Sequence, residues 1–182
     1  MLKLWFLVIT AICVIIWFFT PRIEMPEYKI LNSSGNIEHR SYKSFIVASV
    51  IVSGERVDAL KQGFKKLAAY ISHNKIPMTA PVHLKQVEEK WKVSFIMPKD
   101  YSIINLAQAP GISFEELKPS EFIVIRFSGL VNSENKAKYL RELMQYVQTS
   151  NLLVVGEPIY AFYNPPWTLP FLRRNEIMLM LK

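Results

Sequence analysis

Cysteine is almost missing from this 182-residue chain: Cys13 is the one example, and it falls inside an apolar N-terminal run. Neither a disulfide framework nor paired-thiolate chemistry can be built from it. Glycine is scarce as well, with six residues, and no glycine-rich phosphate loop is formed. HExxH, paired CxxC and GxSxG patterns are absent too. The three histidines, His39, His73 and His83, are far apart and lack metal-ligand spacing. His83 alternates with Val82 and Leu84 and is expected at the solvent surface. His73 is expected at a helix C-terminus, where an imidazolium suits the dipole. Nothing in this set announces catalysis, and the chain reads as a binding protein rather than an enzyme. The net charge of +7 is scattered instead of forming one stripe, which argues against nucleic acid. An anionic lipid surface fits it better.

What is present divides the chain in two. From Leu4 to Phe19 it reads LWFLVITAICVIIWFF, without charge, between Lys3 and the pair Pro21–Arg22. Such a run can cross a bilayer with little tilt, and Trp5 and Trp17 sit near its ends, where indoles favour the interface. Residues 1–22 are therefore expected to be a single-pass membrane anchor and residues 23–182 one folded domain. A cleaved signal peptide is the rival reading, but Phe18, Phe19 and Thr20 before Pro21 make a poor cleavage site. Lipid attachment at Cys13 is disfavoured by the bulky Ile12. Lys3 and the α-amine, set against Arg22 with Glu24 and Glu27, bias the N-terminus to the cytoplasm. The domain is then expected on the non-cytoplasmic side.

In the second part, strand and helix periods alternate. Ile37–Tyr42, Phe45–Ser53, Val82–Gln86 and Trp91–Met97 read as strands. Between them Val57, Leu60, Phe64, Leu67 and Ile71 recur at helical spacing and predict one buried stripe. The order then repeats: a strand over Phe122–Ser128, a helix from Ser133 as cap to about Thr149, and strands over Glu157–Tyr163 and Glu176–Leu181. Ala137, Leu140, Met144 and Val147 are predicted to line the inner face of that helix. Both copies carry Phe-Ile-Val, at Phe45 and Phe122, and Ser-Gly, at Ser53 and Ser128, ahead of a helix. The fold class is α+β, a duplicated βαββ unit with two helices on a curved antiparallel sheet or open barrel.

Several passages together resemble the SOUL haem-binding protein family. Lys75-Ile76-Pro77-Met78-Thr79-Ala80-Pro81-Val82 is similar to its central signature, and Gly63 to Ile71 resembles its first helix. Ile37 to Tyr42 resembles its E-x-R-x-Y strand; Tyr163-Asn164-Pro165-Pro166 and Arg173-Arg174-Asn175-Glu176 resemble its closing elements. The resemblance implies tetrapyrrole binding, with haem as ligand and no catalytic step. In one branch of the family the porphyrin lies against the outward face of the first helix, at positions that correspond here to Lys61, Phe64, Ala68 and Ala69. Lys61 would meet a propionate, Phe64 would stack, and Ala68 would leave room. The bland alternative is a core Phe64 and a solvated Lys61. Another branch of the family carries an axial histidine where this chain has Ser41. His39, two residues away on the same strand face, is the candidate substitute as metal ligand. A module for another flat amphiphilic molecule, and a ligand-free scaffold at the membrane, are the alternative functions.

Overall fold

Period-two runs of β-branched and aromatic residues form nine strands among residues 23–182, which the computed structural model describes. They are β1 (Tyr28–Ser34), β2 (Ile37–Tyr42), β3 (Phe45–Val52), β4 (Val82–Val87), β5 (Lys90–Ile96), β6 (Ser113–Leu117), β7 (Ser120–Phe127), β8 (Val154–Phe162) and β9 (Asn175–Leu181). Helix α1 (Arg56–His73) follows β3, and α2 (Ser133–Thr149) follows β7. The expected anchor lies outside the described residues. No helix among those described is long and apolar enough to cross a membrane.

All strand pairs are antiparallel, in the order β1-β2-β7-β9-β8-β4-β5-β3-β6. Read outward from the β4–β8 pair, the order is the same on both sides: β5, β3 and β6 on one, β9, β7 and β2 on the other. The sheet is thus two βαββ units, β3-α1-β4-β5 and β7-α2-β8-β9, joined through their third elements. Both helices even stop in the same way. Lys75 and Asn151 take a left-handed conformation, while Ile76 N–H donates to Ile71 O and Leu152 N–H to Val147 O. These are paired Schellman closures, each with an apolar residue folding back on the last turn.

The helices cover one sheet face. Leu67, Tyr70 and Ile71 of α1 and Leu143 and Val147 of α2 are buried with Val50, Leu84, Val93, Phe95, Ile123, Ile125 and Ile177. The stripe predicted for α1 is rotated from the observed one. Val57 is 51% exposed and Phe64 41% exposed, while Ala59, Gly63, Leu67 and Tyr70 face inward. Gly63 is the reason. A Cβ there would lie 2.5 Å from Val93 Cγ2 and 3.2 Å from Val50 Cγ2, so the helix rests its bare backbone on the sheet. In α2 the deepest residue is Leu143, which the predicted inner face omitted. Its cap is Asn132, whose Oδ1 accepts from Asn135 N–H at 2.8 Å, one residue before the expected Ser133.

The other face has no helix, yet Val47, Ser49, His83, Ser94, Val124 and Ala161 are buried on it. Topology explains this. Strands β2 and β3 stand near opposite ends of the sheet order but are linked by only Lys43 and Ser44. Three Cα–Cα steps span at most about 11 Å, so the sheet must curl until its ends approach. The Tyr42 and Phe45 rings lie 6.2 Å apart across that closure, and the uncovered face becomes the interior of an open barrel.

Candidate functional site

Helix α1 presents the residues expected to meet a porphyrin, and it does not treat them alike. Lys61 and Ala69 are exposed and Ala68 is half-buried against the core. Phe64 stands edge-on to Phe95, centroids 5.2 Å apart, and leaves the rest of its ring in solvent. Val57, Lys61, Phe64 and Ala68 are spaced by three or four residues, so they form one outward stripe. Lys61 approaches Asp58 only at 3.9 Å, and Lys65 is exposed beside it.

His39 is placed elsewhere. It lies on β2 opposite Ile123 of β7, in the second half of the sheet, whereas α1 packs on β3 and β5 of the first. Its Nε2 is 2.7 Å from Glu121 Oε2. The structure therefore groups Lys61, Phe64, Ala68 and Ala69 and sets His39 apart from them. His83, expected in solvent, is instead 7% exposed, because its strand face turns into the curled interior. Burial pushes its pKa down to about 4, against a smaller opposing pull from Glu176. Among the described residues, no group of three His, Cys, Asp or Glu could hold a metal ion.

The sequence motifs meet in a place the sequence did not suggest. Arg40 of the β2 motif grips Glu176 of β9 through two hydrogen bonds, of 2.9 and 3.0 Å. It also donates to Glu38 at 2.6 Å and to Tyr42 Oη at 3.1 Å. Tyr163 Oη donates to Glu176 at 2.7 Å, and Arg174 Nε donates to the same carboxylate at 2.9 Å. The Arg174 guanidinium covers the Tyr163 ring at 3.8 Å. Burial would raise the Glu176 pKa, but the hydrogen bonds and charges of Arg40 and Arg174 hold it below the usual carboxylate range. Burial likewise lifts Tyr42 to about 12, with Arg40 pulling the other way. Every side-chain polar atom fully buried among the described residues has a partner. A cluster so closely paired is a clasp that ties β2 to β9 and to the end of β8, and its polar groups are spent chiefly on one another.

The central signature is also structural. Lys75 and Ile76 close α1. Thr79 Oγ1 donates to Ile96 O at 2.5 Å, and Ala80 N–H donates to Glu24 O at 2.9 Å. Met78 points outward, 38% exposed. Thr79 also helps to line a cleft of about 370 Å³ with Glu24–Glu27, Phe45, Met97–Lys99, Tyr101 and Glu116. A second, of about 630 Å³, lies between Asn36, Arg126, Phe127, Tyr139 and Phe171–Arg174. Neither cleft is lined by Lys61, Phe64, Ala68, Ala69 or His39.

Comparison with known proteins agrees with this architecture. EcmrR in its DNA complex is 15% identical with a TM-score of 0.62, covering 80% of this chain and 57% of that one. This chain therefore spans little more than half of that protein. A protein solved with tetraphenylphosphonium bound is 13% identical with a TM-score of 0.54, covering 86% and 94%. A hydrolase from Listeria innocua is 12% identical with a TM-score of 0.55, covering 91% and 95%. At such identities the likeness shows the fold alone. Among curated proteins none matches. The profile described as SOUL heme-binding protein matches residues 23–180, virtually all of the described domain, and the chain belongs to the SOUL haem-binding family.

Proposed function

We propose that this protein binds haem or another flat tetrapyrrole on the outward face of α1, without a catalytic step, while its N-terminal segment holds it at a membrane. The observation that carries the reading is Phe64. An aromatic side chain on a well-packed helix is left 41% exposed, on a stripe with Val57 and Ala68 and with Lys61 and Lys65 beside it. Those residue types fit the group: a ring to stack on the macrocycle, small side chains to admit its plane, and ammonium groups for two propionates. Iron would supply redox or ligand-exchange chemistry once bound. This chain's own residues would bind, orient and shield the macrocycle. His39 stands on the other half of the sheet, and the imidazole that α1 itself carries is His73, exposed at the last residue of the helix one turn beyond Ala69. Contact with the apolar stripe rather than ligation is expected to hold the ligand. The folded domain would lie on the non-cytoplasmic side.

The test is a titration of the protein with hemin and, separately, with metal-free protoporphyrin. Comparable saturable binding of both, with a hemin Soret band of five-coordinate or solvent-ligated iron, is expected. Binding confined to hemin would point to ligation through iron.

A second reading, a module for another flat amphiphilic molecule, draws support from the 370 Å³ cleft. There Glu24 and Glu116 stand among Phe45, Met97 and Tyr101, with Lys99 also in the lining and Glu27 paired to Lys43 at 2.6 Å. Three carboxylates against two ammonium groups leave a slight negative excess for an apolar cation. A structure of the same fold was solved with such a cation. Saturable binding of tetraphenylphosphonium that hemin does not displace would favour it, and binding of neither ligand would leave the scaffold alternative.

A further inference from the structure

We propose that the loop from Asn164 to Arg174 is a second membrane contact, which seats its apolar side chains in the surface of an anionic bilayer beside the N-terminal segment. Trp167 is 82% exposed and Phe171 70%, and Leu169 and Leu172 are also more than half exposed. This is not slack chain. Thr168 N–H donates to Pro165 O, Leu172 N–H to Leu169 O, and Gly129 N–H to Pro170 O at 2.8 Å. Arg173 ties the loop from within, donating to Thr168 O at 2.7 Å and to Pro166 O. Arg174 N–H is held by Asn164 Oδ1. The backbone is braced so that the large apolar side chains stand outward, and Leu130, also exposed, adjoins them through Gly129. An apolar group rimmed by polar residues in this way marks an interaction surface.

Two observations choose a bilayer as the occupant. The first is where the chain enters the described structure. Ile23 and Met25 are exposed, and Met25 Sδ lies 4.0 Å from Arg174 Nη1, at the foot of the loop. The chain therefore enters the described domain at the same edge, and a membrane that received the uncharged residues preceding it in sequence would face the loop. The second is charge. Arg126 and Arg173 line the cleft beside Phe171 and Leu172, and the chain carries +7. Trp and Phe at the tip with Arg behind is the distribution that suits the headgroup boundary of an anionic leaflet.

The inference rests on the membrane-tether reading, and its test separates the two. Full-length protein carrying Cys13→Ser and Leu169→Cys is labelled with an environment-sensitive fluorophore and mixed with vesicles of phosphatidylcholine and phosphatidylserine. A matched sample carries the label at Ile104→Cys, which is 94% exposed on another loop. Co-sedimentation reports the tether. A blue-shifted label at 169, quenched several-fold more than the label at 104 by nitroxide-bearing lipid, is expected. That difference should shrink in pure phosphatidylcholine. Co-sedimentation with a water-like, unquenched label at 169 overturns the loop contact and leaves the tether standing. A blue shift without lipid quenching shows that a second copy or the N-terminal segment covers the loop, and also overturns it. Protein that stays in the supernatant with a water-like label sinks both.

Discussion

Glu176 shows how much one side chain can carry. It is buried and accepts from Arg40, Tyr163 and Arg174 together. Replacing it by glutamine leaves Arg174 without its counter-charge and buried Arg40 with Glu38 alone. Removing one partner of a buried pair costs about 3–5 kcal/mol, so Glu176→Gln is expected to lower the denaturation midpoint severely, as followed by circular dichroism. His83 makes a second test, through pH. Its pKa falls from 6.5 to about 4 on folding, so between those values the unfolded chain takes up a proton that the folded chain refuses. Stability is then lost as pH drops from about 6.5 toward 4, by about 3 kcal/mol. Urea unfolding at neutral and mildly acidic pH should show this loss in the parent and a much smaller one in His83→Gln. Neither residue's role could be read from the sequence. Arg40 and Glu176 are 136 positions apart, and strand alternation placed His83 opposite Val82 and Leu84 without revealing that this face is enclosed.

At the level of elements, strands and helices buried on one face were legible because their period follows from that burial. Strands β1 and β6 were not. They are the two ends of the sheet, each with one neighbour and mostly exposed residues, so no alternation marks them. Helix α1 was legible as a helix but not in its rotation. Val57 and Phe64 had the character of core residues, and Gly63 gave no apolar signal although its backbone lies so near the sheet that a side chain would meet Val93. That contact predicts the sign of Gly63→Ala. Alanine favours a helix by about 1 kcal/mol over glycine, but a Cβ 2.5 Å from Val93 forces helix and sheet apart at a cost of about 1–3 kcal/mol. A net loss of stability is expected in thermal unfolding, whereas an exposed helical glycine would give a gain. The duplication was legible in outline from repeated text, and the shared helix endings at Lys75 and Asn151 support it at the level of backbone.

For the whole molecule, duplication and curling divide the labour. One sheet face is sealed by two helices, the other by the sheet's own curvature and the Arg40–Glu176 clasp, so a large flat ligand is left the outside. On the proposed reading the outward stripe of α1 would be its platform, at the Lys61, Phe64, Ala68 and Ala69 that the resemblance implies. The measurement that tests this most directly is hemin affinity in three single variants of the full chain, each checked for unchanged folding. If apolar contact with the outward face of α1 holds the ligand, Phe64→Ala weakens binding about tenfold, or about 1.4 kcal/mol. Lys61→Ala then weakens it less, and His39→Ala leaves both affinity and the Soret band as they were. Loss of a six-coordinate low-spin spectrum in His39→Ala alone, with Phe64→Ala unaffected, would contradict the account and move the site to β2.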